Sequence, residues 1–193
     1  HMLLAPKTNI ADAEIVTSVR NNRIDVFADL ENGEGKALFA EAEIYDGGKT
    51  VKTIKGEMSD GKCTFSDKWD NPVLWDTENP HLYDMKIKLY EDGNAIDEMQ
   101  IRFGFREFWA EDQNFILNGT RVNLRGDSWH FQGAVQMTKE YALNWCRLCK
   151  ERGVNSIRYH AEPHPEFYLD AADEMGILIV DETAIYGSGK SMD

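Results

Sequence analysis

Apolar and polar residues alternate along the first half of the chain, and a period of two marks a strand with one face buried. Ile24 to Leu30 reads Ile-Asp-Val-Phe-Ala-Asp-Leu. Leu38 to Tyr45, Val51 to Met58 and Tyr83 to Tyr90 behave in the same way. Between them stand Asp46-Gly47-Gly48, Asp60-Gly61 and Asp92-Gly93. Asp-Gly pairs supply the positive φ that tight hairpin turns require. Short strands at near-regular spacing with such turns predict an antiparallel sandwich of immunoglobulin type. No helical period interrupts residues 12 to 106.

Near residue 107 the pattern changes. Phe115-Ile116-Leu117 and Val122-Asn123-Leu124 flank Asn118-Gly119, which predicts a hairpin on a type I′ turn. With Thr120 the same residues spell a glycosylation sequon, but the turn alone accounts for them. Thr138 is the predicted N-cap of a helix whose Ala142, Trp145, Cys146 and Cys149 fall on one face, and Gly153 closes it. Asn155 to His160 reads as a short strand. Pro165 opens a second helix, with Tyr168, Ala171, Ala172 and Met175 on one face and Gly176 at its end. The solid apolar run Ile177 to Val180 suits a parallel strand covered on both faces. Strands alternating with amphipathic helices imply right-handed βαβ units. A doubly wound sheet and part of a (β/α)8 barrel both fit. The junction from Gly126 to Met137 holds no G-x-G-x-x-G, so a dinucleotide fold has little support.

Composition narrows the partners. The formal net charge is -13 and no basic stripe is present, whereas phosphate binding needs clustered Lys and Arg. A nucleic-acid partner is therefore not expected. No apolar run reaches the roughly 18 residues of a membrane span. At 42% hydrophobic, with aromatic and β-branched residues throughout, the chain should pack rather than stay disordered. His1-Met2 reads as an expression scar, so localisation is not read from this terminus, and a bacterial cytoplasm or periplasm stands only as an expectation for the parent protein. Three cysteines, an odd count, argue against a disulfide framework. Cys146 and Cys149 form a C-x-x-C but lack a second Cys or His pair at zinc spacing. They read as two small core-facing residues.

Chemistry-bearing side chains gather after the strands of the second half. Asp127, Ser128, Trp129 and His130 follow the first. Arg158, His160 and Glu162 follow the second, and Asp181, Glu182 and Tyr186 the third. In a barrel every βα loop opens on the face that carries the active site. Three successive loops bearing such groups outweigh the structural explanation available for any lone histidine. Aromatic faces stack on pyranose rings, and His, Arg, Asp and Glu hydrogen-bond hydroxyls, so the mixture suits a sugar.

These residues resemble those of the family 2 glycoside hydrolases, which include β-galactosidases, β-glucuronidases and β-mannosidases. Asn155-x-x-Arg158, Pro163, Phe167, Asp173 and Gly176, closing on Ile177 to Glu182, look like the family's first signature. Leu74-Trp75 and Asn79-Pro80-His81-Leu82-Tyr83 resemble the end of its immunoglobulin-like domain. Phe103-Gly104-Phe105-Arg106 is similar to the strand leading out of it, and Asn118-Gly119 with Leu124-Arg125-Gly126 to the barrel entry. The resemblance runs from about Asp12 to Gly187. It implies an immunoglobulin-like sandwich over residues 7–106, then an incomplete α/β TIM-barrel segment over 107–193 with three strands and two helices. Family members carry a jelly-roll domain before the sandwich and a complete barrel of about 250 residues after it, so the resemblance implies a truncated protein.

Retaining glycosidases need two carboxylates about 5 Å apart. In the family these are glutamates, the acid/base in an Asn-Glu pair ending strand four and the nucleophile ending strand seven. Asn-Glu occurs nowhere here, so no catalytic residue is expected in this chain. The resemblance makes Arg158 the arginine beside the nucleophile and His130 a histidine near the sugar hydroxyls. His160 stands two residues after Arg158, where family β-galactosidases place their histidine three after, at the position of Ala161. Asp127, Trp129 and Glu182 complete the expected substrate-binding set. Family magnesium ligands would fall at Tyr186 and Ser188, poor ligands for a hard cation, so no metal or other cofactor is expected. The leading expectation is a piece of a retaining exo-β-glycosidase of β-galactosidase type, inactive alone. The alternatives are a carbohydrate-binding or spacer module and a natural short protein that has lost catalysis. The bare barrel strands further predict either a homodimer joined through the barrel segment or weak order from about Asp127 onward.

Overall fold

The computed structural model describes residues 6–130, 133–161 and 163–183. These form two compact units, one comprising the chain up to Leu74 with Leu82–Glu107, the other Trp75–His81 with the chain from Phe108 onward.

The first unit contains β1 (Asn9–Ser18), β2 (Arg23–Glu31), β3 (Leu38–Asp46), β4 (Lys49–Lys55), β5 (Glu57–Ser59), β6 (Lys62–Lys68), β7 (Tyr83–Glu91) and β8 (Asn94–Phe103). They make two antiparallel four-stranded sheets, ordered β1-β2-β6-β5 and β4-β3-β7-β8. Inward positions of the alternating strands meet between the sheets. Ile24, Val26, Ile44, Phe65, Ile87, Leu89 and Phe105 are fully buried there. The predicted strand Val51 to Met58 is in fact two. The chain leaves one sheet at the end of β4 and enters the other at β5, passing through Gly56. A Cβ on Gly56 would lie 2.2 Å from Cys63 Sγ and 2.8 Å from the Phe65 ring. Glycine lets the backbone run against the core at that crossing.

The second unit opens with a small antiparallel sheet of β9 (Phe108–Glu111), β10 (Asn114–Leu117) and β11 (Thr120–Val122). Asn118 at φ 53° and Gly119 at φ 84° form the expected turn with both central residues at positive φ. Then come β12 (Gly126–Trp129), α1 (Lys139–Glu151), β13 (Ser156–Tyr159), α2 (Glu166–Met175) and β14 (Leu178–Val180). The three strands pair in parallel in the order β12-β13-β14. Thr138 caps α1, its hydroxyl accepting the Tyr141 N–H at 3.1 Å. Gly176 ends α2 in the left-handed conformation. Ala142, Cys146, Ile157, Tyr159, Tyr168, Ala171, Ala172 and Ile177 form the core between helices and sheet.

A boundary drawn at 106/107 leaves residues 75–81 in the first unit, whereas the structure packs them with the second. Trp75 is fully buried and its indole N–H donates to the Asp173 carbonyl at 2.8 Å. Its own carbonyl accepts from Asn118 Nδ2 at 2.8 Å. Lys150 Nζ donates to the Thr77 carbonyl. Asp76 accepts the Glu78 and Asn79 amides, folding the segment into a tight turn.

Candidate active site

The buried side chain of Asn155 sets the register of the parallel strands. Its Oδ1 accepts the Arg125 N–H at 2.7 Å and its Nδ2 donates to the Asn123 carbonyl at 3.0 Å. Its carbonyl accepts the Leu178 N–H at 2.9 Å. One residue thus joins the entries of β12, β13 and β14.

That register brings Ser128, Arg158 and Val180 into one row. Successive strand residues point to opposite faces. Ile157 and Tyr159 enter the helix-facing core, while Arg158 points the other way and is exposed. Beyond the strand ends Glu182 draws a cluster together. One carboxylate oxygen accepts from Arg158 Nε. The other accepts the Ala161 N–H at 2.8 Å and lies 3.3 Å from His160 Nδ1. Arg158 Nη1 reaches Ser128 Oγ at 3.4 Å. The His130 and His160 rings meet edge to face at 4.4 Å between centroids. The Ala161 N–H first, then the Arg158 guanidinium, hold Glu182 below the usual glutamate range.

Ala161 sits at φ 64°. An L-residue with a Cβ costs about 1–2 kcal/mol in that region. The strain turns its amide toward Glu182. No residue-type signal announces this, because the functional atom is backbone.

Of the expected substrate-binding set, His130, Arg158, His160 and Glu182 come together, and Asp127 and Trp129 do not. The sequence puts Asp127 to Trp129 beyond the first barrel strand, but they lie within β12. Alternation then sends Ser128 to the Arg158 side and Asp127 and Trp129 to the helix side. Trp129 packs on Trp145, His164 and Tyr168 at 4.7, 5.2 and 5.4 Å between rings. Asp127 and Trp129 line a groove of about 260 Å³ with Trp145, Leu148, Cys149 and Ile157. Glu162, Tyr186 and Ser188 lie outside the described residues, and the expectation about magnesium with them.

Cys146 and Cys149 are free thiols on the core side of α1, and burial pushes Cys146 up to about 12. Thiolate chemistry is thereby suppressed. Among the described residues no group of three or more His, Cys, Asp or Glu is placed to hold a metal ion. A larger cavity, about 380 Å³, lies in the first unit between Gly33–Leu38 and Met58–Lys62. It is walled mainly by glycine, apolar and flexible charged side chains and gathers no comparable cluster.

A run of βα units with a polar cluster at the C-terminal ends of parallel strands places the second unit in the α/β class, whose active sites lie at those strand ends. Residues 8–106 match the model of the glycosyl hydrolases family 2, and residues 108–192 match that of the glycosyl hydrolases family 2 TIM barrel domain. The chain belongs to glycoside hydrolase family 2. A Formosa agariphila protein carrying a beta-glucuronidase name is 36% identical over 189 residues, 92% of this chain and 23% of that protein. A beta-galactosidase of Halalkalibacterium halodurans is 29% identical over 175 residues, 88% of this chain and 17% of its own length. The crystal structure of a Parabacteroides merdae beta-glucuronidase superposes with TM-score 0.77 at 30% identity, over 93% of this chain and 24% of that one. The chain thus spans about a fifth of the relatives it matches.

Proposed function

We propose that this chain is part of a longer retaining exo-β-glycosidase that hydrolyses terminal β-linked sugars. The observation that carries the reading is the convergence of His130, Arg158, His160 and Glu182 at the ends of parallel strands in a family 2 chain. A spacer or carbohydrate-binding sandwich has no use for such a cluster at a barrel mouth. The catalytic glutamate pair of the family belongs to segments beyond β14, and no Asn-Glu occurs in these 193 residues.

For the sugar, a neutral β-galactoside is the first reading. The described cluster holds one permanent cation, Arg158, which is already paired with Glu182, and so offers no further cation to a carboxylate on the sugar. A β-glucuronide is the second reading, favoured by the names of the relatives at 36% and 30% identity. The test is to assay the whole protein on nitrophenyl β-galactoside, β-glucuronide and β-mannoside. Turnover of at least one is expected, the galactoside fastest. Failure on all three would sink the reading, and preference for the glucuronide would replace the first sugar by the second.

A further inference from the structure

Glu182 reads from sequence as a sugar contact, but its carboxylate is already engaged by the protein. Its two oxygens meet three groups: the guanidinium of Arg158, the imidazole of His160 and the amide of Ala161. An ionised carboxylate offers about four acceptor sites, so little capacity is left for a hydroxyl. The bonds join the end of β13 to the chain just past β14.

We propose that Glu182 is a positioning residue, which fixes the Arg158 guanidinium and the His160 ring for the reaction without itself touching the sugar. The proposal rests on the glycosidase reading given above.

Three features support it. First, Glu182 takes Arg158 through Nε, so the Nη end is left to extend toward Ser128 and the barrel mouth. A guanidinium is a rigid fork, and holding one edge aims the other. Second, the ionised carboxylate beside His160 Nδ1 makes that nitrogen the donor. The opposite nitrogen, Nε2, is then the acceptor of the neutral ring. A histidine whose tautomer is set in this way can accept from a sugar hydroxyl. Third, Ala161 is held at φ 64°, a strained conformation that aims its N–H at Glu182. Strain of this kind persists only where the surroundings over-determine it. Stability gives no competing explanation, since the Arg158 and Glu182 side chains are 44% and 28% exposed and such pairs add little to the fold.

The experiment compares Glu182→Gln, Arg158→Ala and the double variant in the whole enzyme. Glu182→Gln keeps the shape and removes the charge. Its kcat should fall about 10- to 100-fold with KM nearly unchanged, because a misaimed group is felt in the transition state. In the Arg158→Ala background the same change should cost clearly less than in the wild type, the remainder being the loss on His160, because residues acting through one another are not additive. Fully additive losses, or a loss wholly in KM, would overturn the positioning role and make Glu182 a direct sugar contact. Wild-type protein that cleaves no β-glycoside would sink the glycosidase reading instead. The geometry is then read on the 193-residue chain by NMR. The Ala161 amide and Arg158 Nε–H signals should shift together as Glu182 is protonated, and stay fixed over the same range in Glu182→Gln. Signals that ignore the protonation of Glu182 in the wild type would overturn the proposal whatever the enzymology.

Discussion

Gly56 illustrates how one residue fixes a path. A side chain there would meet two buried groups, Cys63 Sγ at 2.2 Å and Phe65 at 2.8 Å. Neither is the free end of a flexible side chain at the surface, so the core must shift. Overpacking of this kind costs about 1–3 kcal/mol. Gly56→Ala should lower the urea midpoint of the sandwich without changing the slope, and an unchanged midpoint would show that the crossing has slack. Carboxylates act at the same scale. Hydrogen bonds from Lys88, then Tyr45, lower Glu43 from an ordinary value of 4.5. A group whose folded pKa is depressed adds stability above its unfolded pKa and loses it as pH falls through the folded value. The urea midpoint should therefore hold from neutrality to about pH 5 and decline below about 4.5. A midpoint that is flat or rising from pH 5 to 3 would contradict the assignment.

Among the elements, those with a clean period were legible and those shaped by contact were not. The alternation of β2, β3 and β7 and the one-sided faces of α1 and α2 follow from residue spacing alone, as do their caps at Thr138 and Gly176. The division of Val51 to Met58 was not legible, because both halves keep the alternation and only the approach of Cys63 and Phe65 forces the crossing. The candidate site shows the same limit. Arg158 and His160 were legible from a strand followed by a loop. Asp127 and Trp129 were misplaced because the first barrel strand starts later than its apolar residues indicate, and a shift of this kind changes which face a side chain takes. Glu182 was found, but its partners were not, since one is a backbone amide. Asn155 deserves a direct test at this scale, since it joins three strand entries through its side chain and backbone. Asn155→Ala removes two side-chain bonds in a buried place and should destabilise the second unit by about 2–4 kcal/mol. Among the described residues the two α-helices lie in this unit, so ellipticity at 222 nm in urea reports it. An effect below about 0.5 kcal/mol would deny Asn155 this role.

At the scale of the whole molecule the first expectation is catalytic silence. A retaining displacement needs an acid/base and a nucleophile, and the Asn-Glu pair expected to hold the acid/base occurs nowhere in these 193 residues. The pure 193-residue protein should release no nitrophenol from β-galactoside, β-glucuronide or β-mannoside above a buffer blank. Release above the blank would mean that other carboxylates serve. The second expectation is association. Among the described residues β12 and β14 are the outer strands of the parallel sheet, and Val180 is 49% exposed. Unpaired edges and bare apolar positions are templates for another chain. Light scattering after size exclusion should show a species heavier than 22.1 kDa that grows with concentration. A monomer at every concentration would refute it.

The placement of Trp75–His81 bears on heredity as much as on folding. A gene segment beginning at codon 108 would carry the barrel start away without its buried tryptophan, and without acceptors for Lys150 and Asn118 at Thr77 and Trp75. Any exchange of modules that respected the packing would have to move two separated stretches of coding sequence, with the codons for β7 and β8 between them.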